Sequence, residues 1–321
     1  MTKQKVFVTR NIPEKGLVLI RDLYEADIWQ SEDPPGRNDL LERARGVDGL
    51  LSALTETIDA TIMDMAPGLK VISNFAVGVD NIDVAAATQR KIPVGNTPGV
   101  LTDATADLAF ALMFAVARRI VEGEQFVKDG NWKTWNPRLL LGADIVGGTL
   151  GIIGFGRIGK AVARRASGFD LHVIYSDPTE RPAFGTTQVD LDVLLRESDF
   201  ISLHVPLTPI TRHMINSVTL KMMKPNAVLV NTSRGPVVDP EALYNALKDH
   251  RIFGAGLDVT EPEPLPADHP LLSLPNCLVV PHLGSASKET RDNMAILAAK
   301  NLIAGLNEER LPNCVNPQVY E

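Results

Sequence analysis

One segment in the middle of the chain, GIIGFGRIGKAVARRASGFDLHVIYSD, constrains the fold more than any other part of the sequence. Gly154, Gly156 and Gly159 follow an apolar strand-like run and open a helix-like run, and Asp177 ends the next apolar run. The first glycine permits a tight turn, the second lets the backbone approach a diphosphate, and the third lets the helix pack closely. The helix N-terminus then presents N–H groups to the anion. The segment therefore predicts a dinucleotide-binding turn, and the alternative is a purely structural glycine turn.

The acidic residue at the end of this segment predicts which dinucleotide binds. A carboxylate at the end of the second strand of such a unit accepts hydrogen bonds from the ribose hydroxyls and repels a 2'-phosphate. Asp177 therefore favours NAD, whereas Arg181, four residues later, offers a partner for the 2'-phosphate of NADP. The alternative interpretation of Asp177 is a turn cap before Pro178.

Strand-like and helix-like runs alternate along almost the whole chain. The first series of strands is KVFVT, ADIW, GLLSA and KVISNFA, with helix-like runs such as NDLLERARG and NIDVAAATQRK between them. The second series is TLGIIGFG, HVIYSD, FISLHVP, AVLVNTS, FGAGLDV and CLVVPH. This alternation favours parallel sheets with helices on both faces. The predicted fold class is α/β, with two doubly wound parallel-sheet domains of Rossmann or flavodoxin type.

Two long helix-like runs, one between the two series of strands and one after the second series, predict the domain boundaries. The run TDATADLAFALMFAVARRIVEGEQFVKDG has Thr102 or Asp103 as its cap and Gly130 as its stop. The run SASKETRDNMAILAAKNLIAGL has one apolar face, formed by Met294, Leu297, Ala298 and Leu302. We predict that both helices cross between domains. The NAD(P)-binding domain, residues 101–286, would then be inserted into a substrate-binding domain formed by residues 1–100 and 287–321.

Composition limits the classes of partner. The 321 residues are 45% hydrophobic and 22% charged, which is ordinary for a globular chain with room for two cores. The net charge of -7 argues against nucleic acid or an anionic membrane as the main partner. The longest apolar run, LAFALMFAVA, is about half of the ~20 residues that span a bilayer. Cys277 and Cys314 form no CxxC motif, so we expect no metal site. Two cysteines without a disulfide framework suit a reducing compartment, and MTKQKVFVTR lacks the long apolar core of a signal peptide. We therefore expect a cytoplasmic location.

Three residues of complementary chemistry follow three successive strands of the second series. Arg234 lies in VLVNTSRGPVVD, Glu263 in AGLDVTEPEPLP, and His282 in VVPHLGSAS. Because the carboxyl ends of parallel strands meet at one edge, we expect these side chains in one crevice. A guanidinium can hold a carboxylate or keto oxygen, a carboxylate can fix an imidazole, and an imidazole can donate a proton near neutral pH. This set predicts reduction of a keto carbon by hydride, with His282 as the proton donor.

Each of these residues also has a structural alternative. Arg234 could form a surface ion pair, and His282 could be a buried imidazole with one satisfied partner. We expect the other histidines to be structural or solvated; they are His172, His204, His213, His250 and His269. Of these, His204 is expected beside the cofactor, and His172 and His213 have no partner that the sequence identifies.

Ordered motifs along nearly the whole chain resemble those of the D-isomer-specific 2-hydroxyacid dehydrogenases, and they are most similar to those of glyoxylate and hydroxypyruvate reductases. The motifs are FAVGVDNID, NTPGVLTDATADLAFALM, LGIIGFGRIG, HVPLTPITRHMI, VNTSRGPVVD, GAGLDVTEPEP and PHLGSAS. The resemblance implies an NAD(P)-dependent enzyme that reduces glyoxylate and hydroxypyruvate to D-2-hydroxy acids. It places the family's catalytic arginine, glutamate and histidine on Arg234, Glu263 and His282.

The resemblance also implies the ligand contacts. The family's carboxylate-binding loop falls on Val77 and Gly78, whose N–H groups would form an anion site, and Leu54 lies near the substrate. Trp135 matches an aromatic residue that, in relatives, reaches across a homodimer interface towards the partner's active site, and the alternative for it is plain packing within the dimer contact. The implied cofactor contacts are Thr105, Gly154, Gly156, Arg157, Ile158, Gly159, Asp177, Pro206, Thr232, Asp258, His282 and Gly284.

Several related functions stay open at this point. Some reductases of the group carry an arginine in place of Asp177, so NAD(H) is favoured here and NADP(H) is possible. Phosphoglycerate and D-lactate dehydrogenases are alternatives, whereas formate dehydrogenases have a glutamine at the position of Glu263 and phosphite dehydrogenases a lysine at that of Val77. An alternative from another class is the nucleotide-sensing co-repressor, which turnover of NADH with a 2-keto acid would exclude.

Overall fold

The computed structural model describes residues 3–181, 183 and 185–321, which form two compact units. The first unit comprises the chain up to Leu101 together with Ser287–Glu321, and the second comprises Thr102–Ala286. Each unit contains one parallel sheet with helices between its strands. The predicted fold class is therefore confirmed.

The first unit has a five-stranded sheet. Its strands are β1 (Lys5–Val8), β2 (Glu25–Ile28), β3 (Gly49–Ser52), β4 (Val71–Asn74) and β5 (Val94–Gly95), in the order β2-β1-β3-β4-β5. The helices between them are α1 (Glu14–Arg21), α2 (Arg37–Arg43), α3 (Ala60–Met65) and α4 (Val84–Gln89). Phe7, Leu50 and Ile72 are fully buried, because the central strands of a parallel sheet are covered on both faces. The sequence did not predict β5, since two residues are too few for a periodic signal.

The C-terminal segment returns to this unit as a long helix. It is α11 (Lys288–Leu306), and the side chain of its N-cap, Ser287, accepts a hydrogen bond from the Thr290 N–H. Three residues of the predicted apolar face, Met294, Ala298 and Leu302, are buried, and Leu297 is half-buried. The residues beyond α11 bind β5, where the N–H of Val315 donates to the carbonyl oxygen of Val94 at 2.8 Å.

The second unit has a seven-stranded sheet. Its strands are β6 (Thr149–Ile153), β7 (His172–Ser176), β8 (Thr186–Gln188), β9 (Phe200–Leu203), β10 (Val228–Asn231), β11 (Gly254–Leu257) and β12 (Cys277–Val279). Their order is β12-β11-β10-β9-β6-β7-β8, so the six predicted strands are confirmed. The seventh, β8, was not predicted because its TTQ sequence has no apolar residue. The strand order reverses between β6 and β9, which places a crevice at the carboxyl ends of these two strands.

The helix predicted from Thr102 to the Gly130 stop is in fact two helices. They are α5 (Thr102–Ala117) and α6 (Ile120–Lys128), and Arg119 between them has a left-handed backbone with φ 51°. A left-handed residue interrupts the helical hydrogen bonds, so the single-helix prediction is wrong there. Gly130, with φ 68°, follows the end of α6 as predicted. The other helices of the unit are α7 (Arg157–Ala166), α8 (Leu191–Glu197), α9 (Ser217–Met222) and α10 (Pro240–Lys248).

Helix α5 is apolar on most of its surface and packs against β10, β11 and α7. It is a core helix, as its burial shows. Within the described part of the chain, no helix is both long enough and apolar enough to cross a membrane.

Candidate active site

The glycine turn after β6 has a distinct geometry at each glycine. Gly154 has φ 91°, and a Cβ there would lie 2.7 Å from the backbone of His204. A Cβ at Gly159 would overlap the carbonyl oxygen of Gly154, so α7 packs against the turn at a distance that only glycine allows. At Gly156 a Cβ would meet nothing within 4 Å. An open glycine surface in front of a helix N-terminus fits the diphosphate of a dinucleotide.

The first turn of α7 carries two further predicted cofactor contacts. Arg157 is exposed and Ile158 is half-buried. The Lys160 N–H donates to the carbonyl oxygen of Gly156 at 3.0 Å, so the N–H groups of residues 157–159 precede the first bond of the helix. These N–H groups and the positive end of the helix dipole suit an anion.

Asp177 follows β7, and its carboxylate binds the glycine turn. Oδ2 accepts the N–H of Phe155 at 2.8 Å, and Oδ1 accepts the N–H of Thr179 at 2.9 Å and Nε of Arg181 at 3.2 Å. Partial burial by itself raises the pKa of Asp177, but these hydrogen bonds outweigh it and hold the pKa below its ordinary value. The cap predicted as an alternative is present, and the carboxylate also binds the glycine turn.

A buried aromatic pair, Phe155 and Tyr175, packs under the glycine turn that follows β6. The rings of Phe155 and Tyr175 stack with their centroids 3.9 Å apart, and the Tyr175 hydroxyl accepts the N–H of Arg181 at 3.2 Å. This pair was not predicted from the sequence. The aromatic residue between Gly154 and Gly156 was the signal that could have indicated it.

Arg234 follows β10 in a tight turn. Asn231 holds the turn, since its Oδ1 accepts the Ser233 N–H at 3.0 Å and its Nδ2 donates to the Arg234 carbonyl oxygen at 2.9 Å. A Cβ at Gly235 would overlap the carbonyl oxygen of Thr260, so the segments that follow β10 and β11 are in direct contact. This contact requires glycine, and it places half-buried Arg234 next to the loop that carries Glu263.

His282 and Glu263 form a direct pair, with Nδ1 of the imidazole 2.6 Å from Oε1 of the carboxylate. Backbone bonds hold both residues: the His282 N–H donates to the Asp258 carbonyl oxygen at 3.0 Å, and the Thr260 N–H donates to Glu263 Oε2 at 3.4 Å. A carboxylate at Nδ1 makes this nitrogen the hydrogen-bond donor. Nε2, on the other side of the ring, is then the nitrogen through which a proton can be exchanged.

Asp258 lies behind His282 and is only 2% exposed. Its carboxylate accepts the N–H groups of Leu283 and Gly284, and the Thr105 hydroxyl donates to the carbonyl oxygen of Gly284 at 3.1 Å. Burial raises the pKa of Asp258 above its ordinary value, although the Leu283 hydrogen bond opposes the shift. The predicted cofactor contacts Thr105, Asp258 and Gly284 therefore form one cluster that fixes the turn after His282.

His204 lies at the point where the strand order reverses. Its Nε2 is 2.8 Å from the Ser202 hydroxyl, and its Nδ1 is 3.4 Å from that of Thr232. Burial lowers the pKa of His204 to about 3, so the ring is neutral near physiological pH. Pro206 lies on the exposed loop that follows, where its carbonyl oxygen accepts the Thr211 hydroxyl at 2.6 Å.

The other glutamate of the TEPEP sequence, Glu261, has different partners. Its carboxylate pairs with the guanidinium of Arg212 and lies 2.6 Å from Nε2 of His213. Partial burial by itself raises the pKa of Glu261, but hydrogen bonds from His213 and Arg212 outweigh it and lower the pKa. The expectation that His213 has no partner is wrong, because the loop after β11 meets the loop after β9.

The predicted substrate loops of the first unit follow β3 and β4. Leu54 is 43% exposed. Asn96 Nδ2 donates to the Val77 carbonyl oxygen at 2.7 Å, and Asn74 Nδ2 donates to that of Gly78 at 2.9 Å. The N–H groups of Val77 and Gly78 have no hydrogen-bond partner among residues 3–181, 183 and 185–321. Two adjacent N–H groups of this kind suit a carboxylate.

Trp135 lies in the segment between α6 and β6 and is 79% exposed. Its side chain is therefore not packed inside its own chain.

As for metals, the residues that the structure describes contain no group of three or more His, Cys, Asp or Glu side chains that could hold an ion.

Comparison with known proteins places the chain in a family. The model of the D-isomer specific 2-hydroxyacid dehydrogenase, NAD binding domain, matches residues 110–284. A glyoxylate reductase of Korarchaeum cryptofilum is 54% identical in an alignment 324 positions long that covers 99% of this chain and 98% of the relative. A crystal structure of a Thermus thermophilus protein has a TM-score of 0.94 and 49% identity, over 97% of this chain and 100% of that one. An NADPH-dependent glyoxylate/hydroxypyruvate reductase of Sinorhizobium meliloti, in complex with NADP and malonate, has a TM-score of 0.86 and 32% identity over 98% of each chain.

The chain therefore belongs to the D-isomer specific 2-hydroxyacid dehydrogenases, and the resemblance found in its motifs is confirmed. It is an NAD(P)-dependent oxidoreductase. The glycine turn, the open surface at Gly156 and the carboxylate of Asp177 are the features of this chain that fit the dinucleotide.

Replacement of His282 by asparagine tests the proton donor. Asparagine tolerates the left-handed backbone of His282, φ 52°, but supplies no acid. We expect His282→Asn to lower kcat for reduction of a 2-keto acid by ~100-fold or more, since general acid catalysis typically contributes that much. The dissociation constant for NADH, measured by fluorescence titration, should change little. His250→Asn is the control because exposed His250 has φ 50°. Near-normal turnover in His282→Asn would remove His282 from the proton transfer.

Proposed function

We propose that this protein is a glyoxylate reductase that reduces glyoxylate and hydroxypyruvate to 2-hydroxy acids, of D configuration where the carbon is chiral. The observation that carries the proposal is the 2.6 Å contact between His282 and Glu263 at the edge of a dinucleotide-binding sheet. The Korarchaeum glyoxylate reductase, about half identical to this chain, supports the choice of substrate. These findings favour the reductase over the nucleotide-sensing co-repressor.

The reduction requires a hydride, a proton and a group that stabilises negative charge. The turn of Gly154, Gly156 and Gly159, together with Asp177, would hold the reduced dinucleotide, whose nicotinamide would supply the hydride. His282 donates the proton from Nε2 to the keto oxygen as that oxygen becomes an alkoxide, and Glu263 stabilises the imidazolium before the transfer. Arg234 donates hydrogen bonds to the substrate and to the developing charge.

The substrate carboxylate binds the N–H groups of Val77 and Gly78 in this proposal. Leu54 limits the size of the substituent on the keto carbon. Residues 1–100 and 287–321 therefore form the substrate-binding domain, and residues 101–286 form the NAD(P)-binding domain. The carboxylate site at Val77 and Gly78 is supported by the hydrogen bonds that their carbonyl oxygens accept from Asn96 and Asn74. These bonds leave the two N–H groups available for a ligand.

We also infer that the protein works in the cytoplasm. Its two cysteines, Cys277 and Cys314, are free thiols, which suits a reducing compartment. Burial raises the pKa of the Cys277 thiol to about 12, so this thiol is unreactive.

A panel of 2-keto acids tests the substrate. We expect higher kcat/KM for glyoxylate and hydroxypyruvate than for phenylpyruvate, by ~10- to 200-fold, because a wrong size in a pocket commonly costs that much. Leu54→Ala should narrow the gap between glyoxylate and phenylpyruvate. Leu23→Ala is the control, since Leu23 is a similarly exposed leucine of the same unit. A phenylpyruvate optimum in the unmodified protein contradicts the small pocket, and no turnover of any 2-keto acid contradicts the proposed function.

The ratio of kcat/KM for NADH and NADPH tests the role of Asp177. The lowered pKa keeps this carboxylate ionised near neutral pH, where it repels a 2'-phosphate. We expect NADH to be preferred by roughly 10-fold or more, which corresponds to about 1.4 kcal/mol. Asp177→Ala should reduce the preference, and Arg181→Ala in that background should lower NADPH use. Asp192→Ala is the control, because Asp192 pairs with Arg196 at the same spacing on α8. A clear NADPH preference would show that Arg181 dominates.

We propose that the protein is a homodimer and that Trp135 lies in its interface. Contiguous exposed apolar surface marks contact sites, and the exposed apolar side chains around Trp135 in sequence are Ile120, Val121, Val127, Trp132, Leu141 and Val146. We expect a dimer by analytical ultracentrifugation, with weaker association and wider acceptance of bulky 2-keto acids for Trp135→Ala. Ile210→Ala, at an exposed residue of another loop, is the control. A monomer at micromolar concentration contradicts the proposal.

A further inference from the structure

The two loops assigned to the substrate are joined by a network of side-chain hydrogen bonds that centres on Asn81. Its Nδ2 donates to the carbonyl oxygens of Ala53 at 2.8 Å and of Glu56 at 3.0 Å. Its Oδ1 accepts Nδ2 of Asn74 at 3.1 Å, and that same nitrogen donates to the Gly78 carbonyl oxygen at 2.9 Å. Two amide side chains therefore connect the loop after β3 to the loop after β4.

A buried carboxylate and a buried hydroxyl anchor this network. Glu56, 3% exposed, accepts the Thr9 hydroxyl at 2.6 Å and the Ala53 N–H at 2.8 Å. The Ser52 hydroxyl donates to Oδ1 of Asn74 at 3.0 Å. Thr9, Ser52 and Asn74 are fully buried. Hydrogen bonds shielded from water are costly to leave unmade, so the network is rigid.

Backbone bonds align the same two segments. The N–H of Ile58 donates to the carbonyl oxygen of Asn81 at 2.8 Å, and the N–H of Asp83 donates to that of Ile58 at 2.9 Å. Residues 53–58 and 78–83 are thus held side by side at the carboxyl ends of β3 and β4. The backbone bonds hold the two segments together at Ile58 and Asp83. The side-chain amide of Asn81 holds them together at Ala53 and Glu56, on either side of Leu54.

We propose that Asn81 is a positioning residue that sets the spacing between the Val77–Gly78 loop and Leu54, and thereby the size of the 2-keto acid that the enzyme accepts. The inference rests on the proposed function, which assigns these two loops to the substrate. Asn81 acts through the backbone of the loops. Loss of its amide removes the side-chain bonds to the carbonyl oxygens of Ala53 and Glu56 and leaves the backbone bonds at Ile58 in place. The part of the loop next to Leu54 then moves relative to the Val77–Gly78 carboxylate site.

The test compares substrates rather than total activity. Asn81→Ala should lower the ratio of kcat/KM for glyoxylate to that for phenylpyruvate by ~10-fold, within the range that pocket size controls. KM for glyoxylate should rise and KM for phenylpyruvate should fall. The concentration of active enzyme cancels in this ratio, so a role in stability alone leaves it unchanged.

A matched asparagine provides the control. Asn276 Nδ2 also donates to two backbone carbonyl oxygens, those of Leu247 and Phe253, both at 3.2 Å, in the second unit. Asn276→Ala should lower the thermal midpoint of unfolding and keep the substrate ratio of the unmodified protein.

Ser52→Ala is the milder variant, to be measured in case Asn81→Ala does not fold. It removes the hydroxyl that fixes Asn74, and the ratio should shift in the same direction by a smaller factor. An unchanged ratio in the folded variants, with normal reduction of glyoxylate by the unmodified protein, overturns the role of Asn81 alone. If the unmodified protein reduces no 2-keto acid, the proposed function fails and the inference fails with it.

Discussion

The contact between Glu263 and His282 depends on how closely the backbone segments pack at the ends of β10, β11 and β12. Gly235 lies directly against Thr260, and the His282 N–H binds the carbonyl oxygen of Asp258. Parallel register brings these segments to one edge, so the His282 imidazole and the Glu263 carboxylate are positioned by the sheet itself. A reaction that transfers a proton at close range needs groups that are fixed before the substrate arrives, and backbone bonds provide that preorganisation.

The same edge holds the glycine turn after β6, and close backbone packing is required there as well. Gly154 meets the backbone of His204 across the reversal of the strand order, and Asp177 is bound to the N–H of Phe155. His204 is a neutral hydrogen-bonding group because burial lowers its pKa to about 3. His282 differs in having a carboxylate partner. The environment, rather than the residue type, therefore assigns these two histidines different roles.

The sequence predicted most of the fold because the buried strands of a parallel sheet leave short continuous apolar runs, whereas helices leave periodic apolar patterns. It failed where a local pattern is weak or where distant contacts decide the conformation. The polar strand β8 and the two-residue strand β5 have no such pattern. Arg119 breaks the predicted long helix although the sequence there is helix-compatible, because a left-handed backbone is a property of the folded chain.

The sequence could predict those site residues that come directly after the end of a strand. Arg234, Glu263 and His282 stood out by residue type and by their places just beyond three successive strands, although Glu261 follows the same strand as Glu263. In the structure Glu261 binds Arg212 and His213, and Glu263 binds His282. Asn81 lies in the FAVGVDNID motif, but nothing in the sequence indicates its hydrogen bonds, since an amide acquires its partners only from the carbonyl oxygens that the fold brings to it. Residues that shape a pocket without touching the substrate are therefore found only from the three-dimensional contacts.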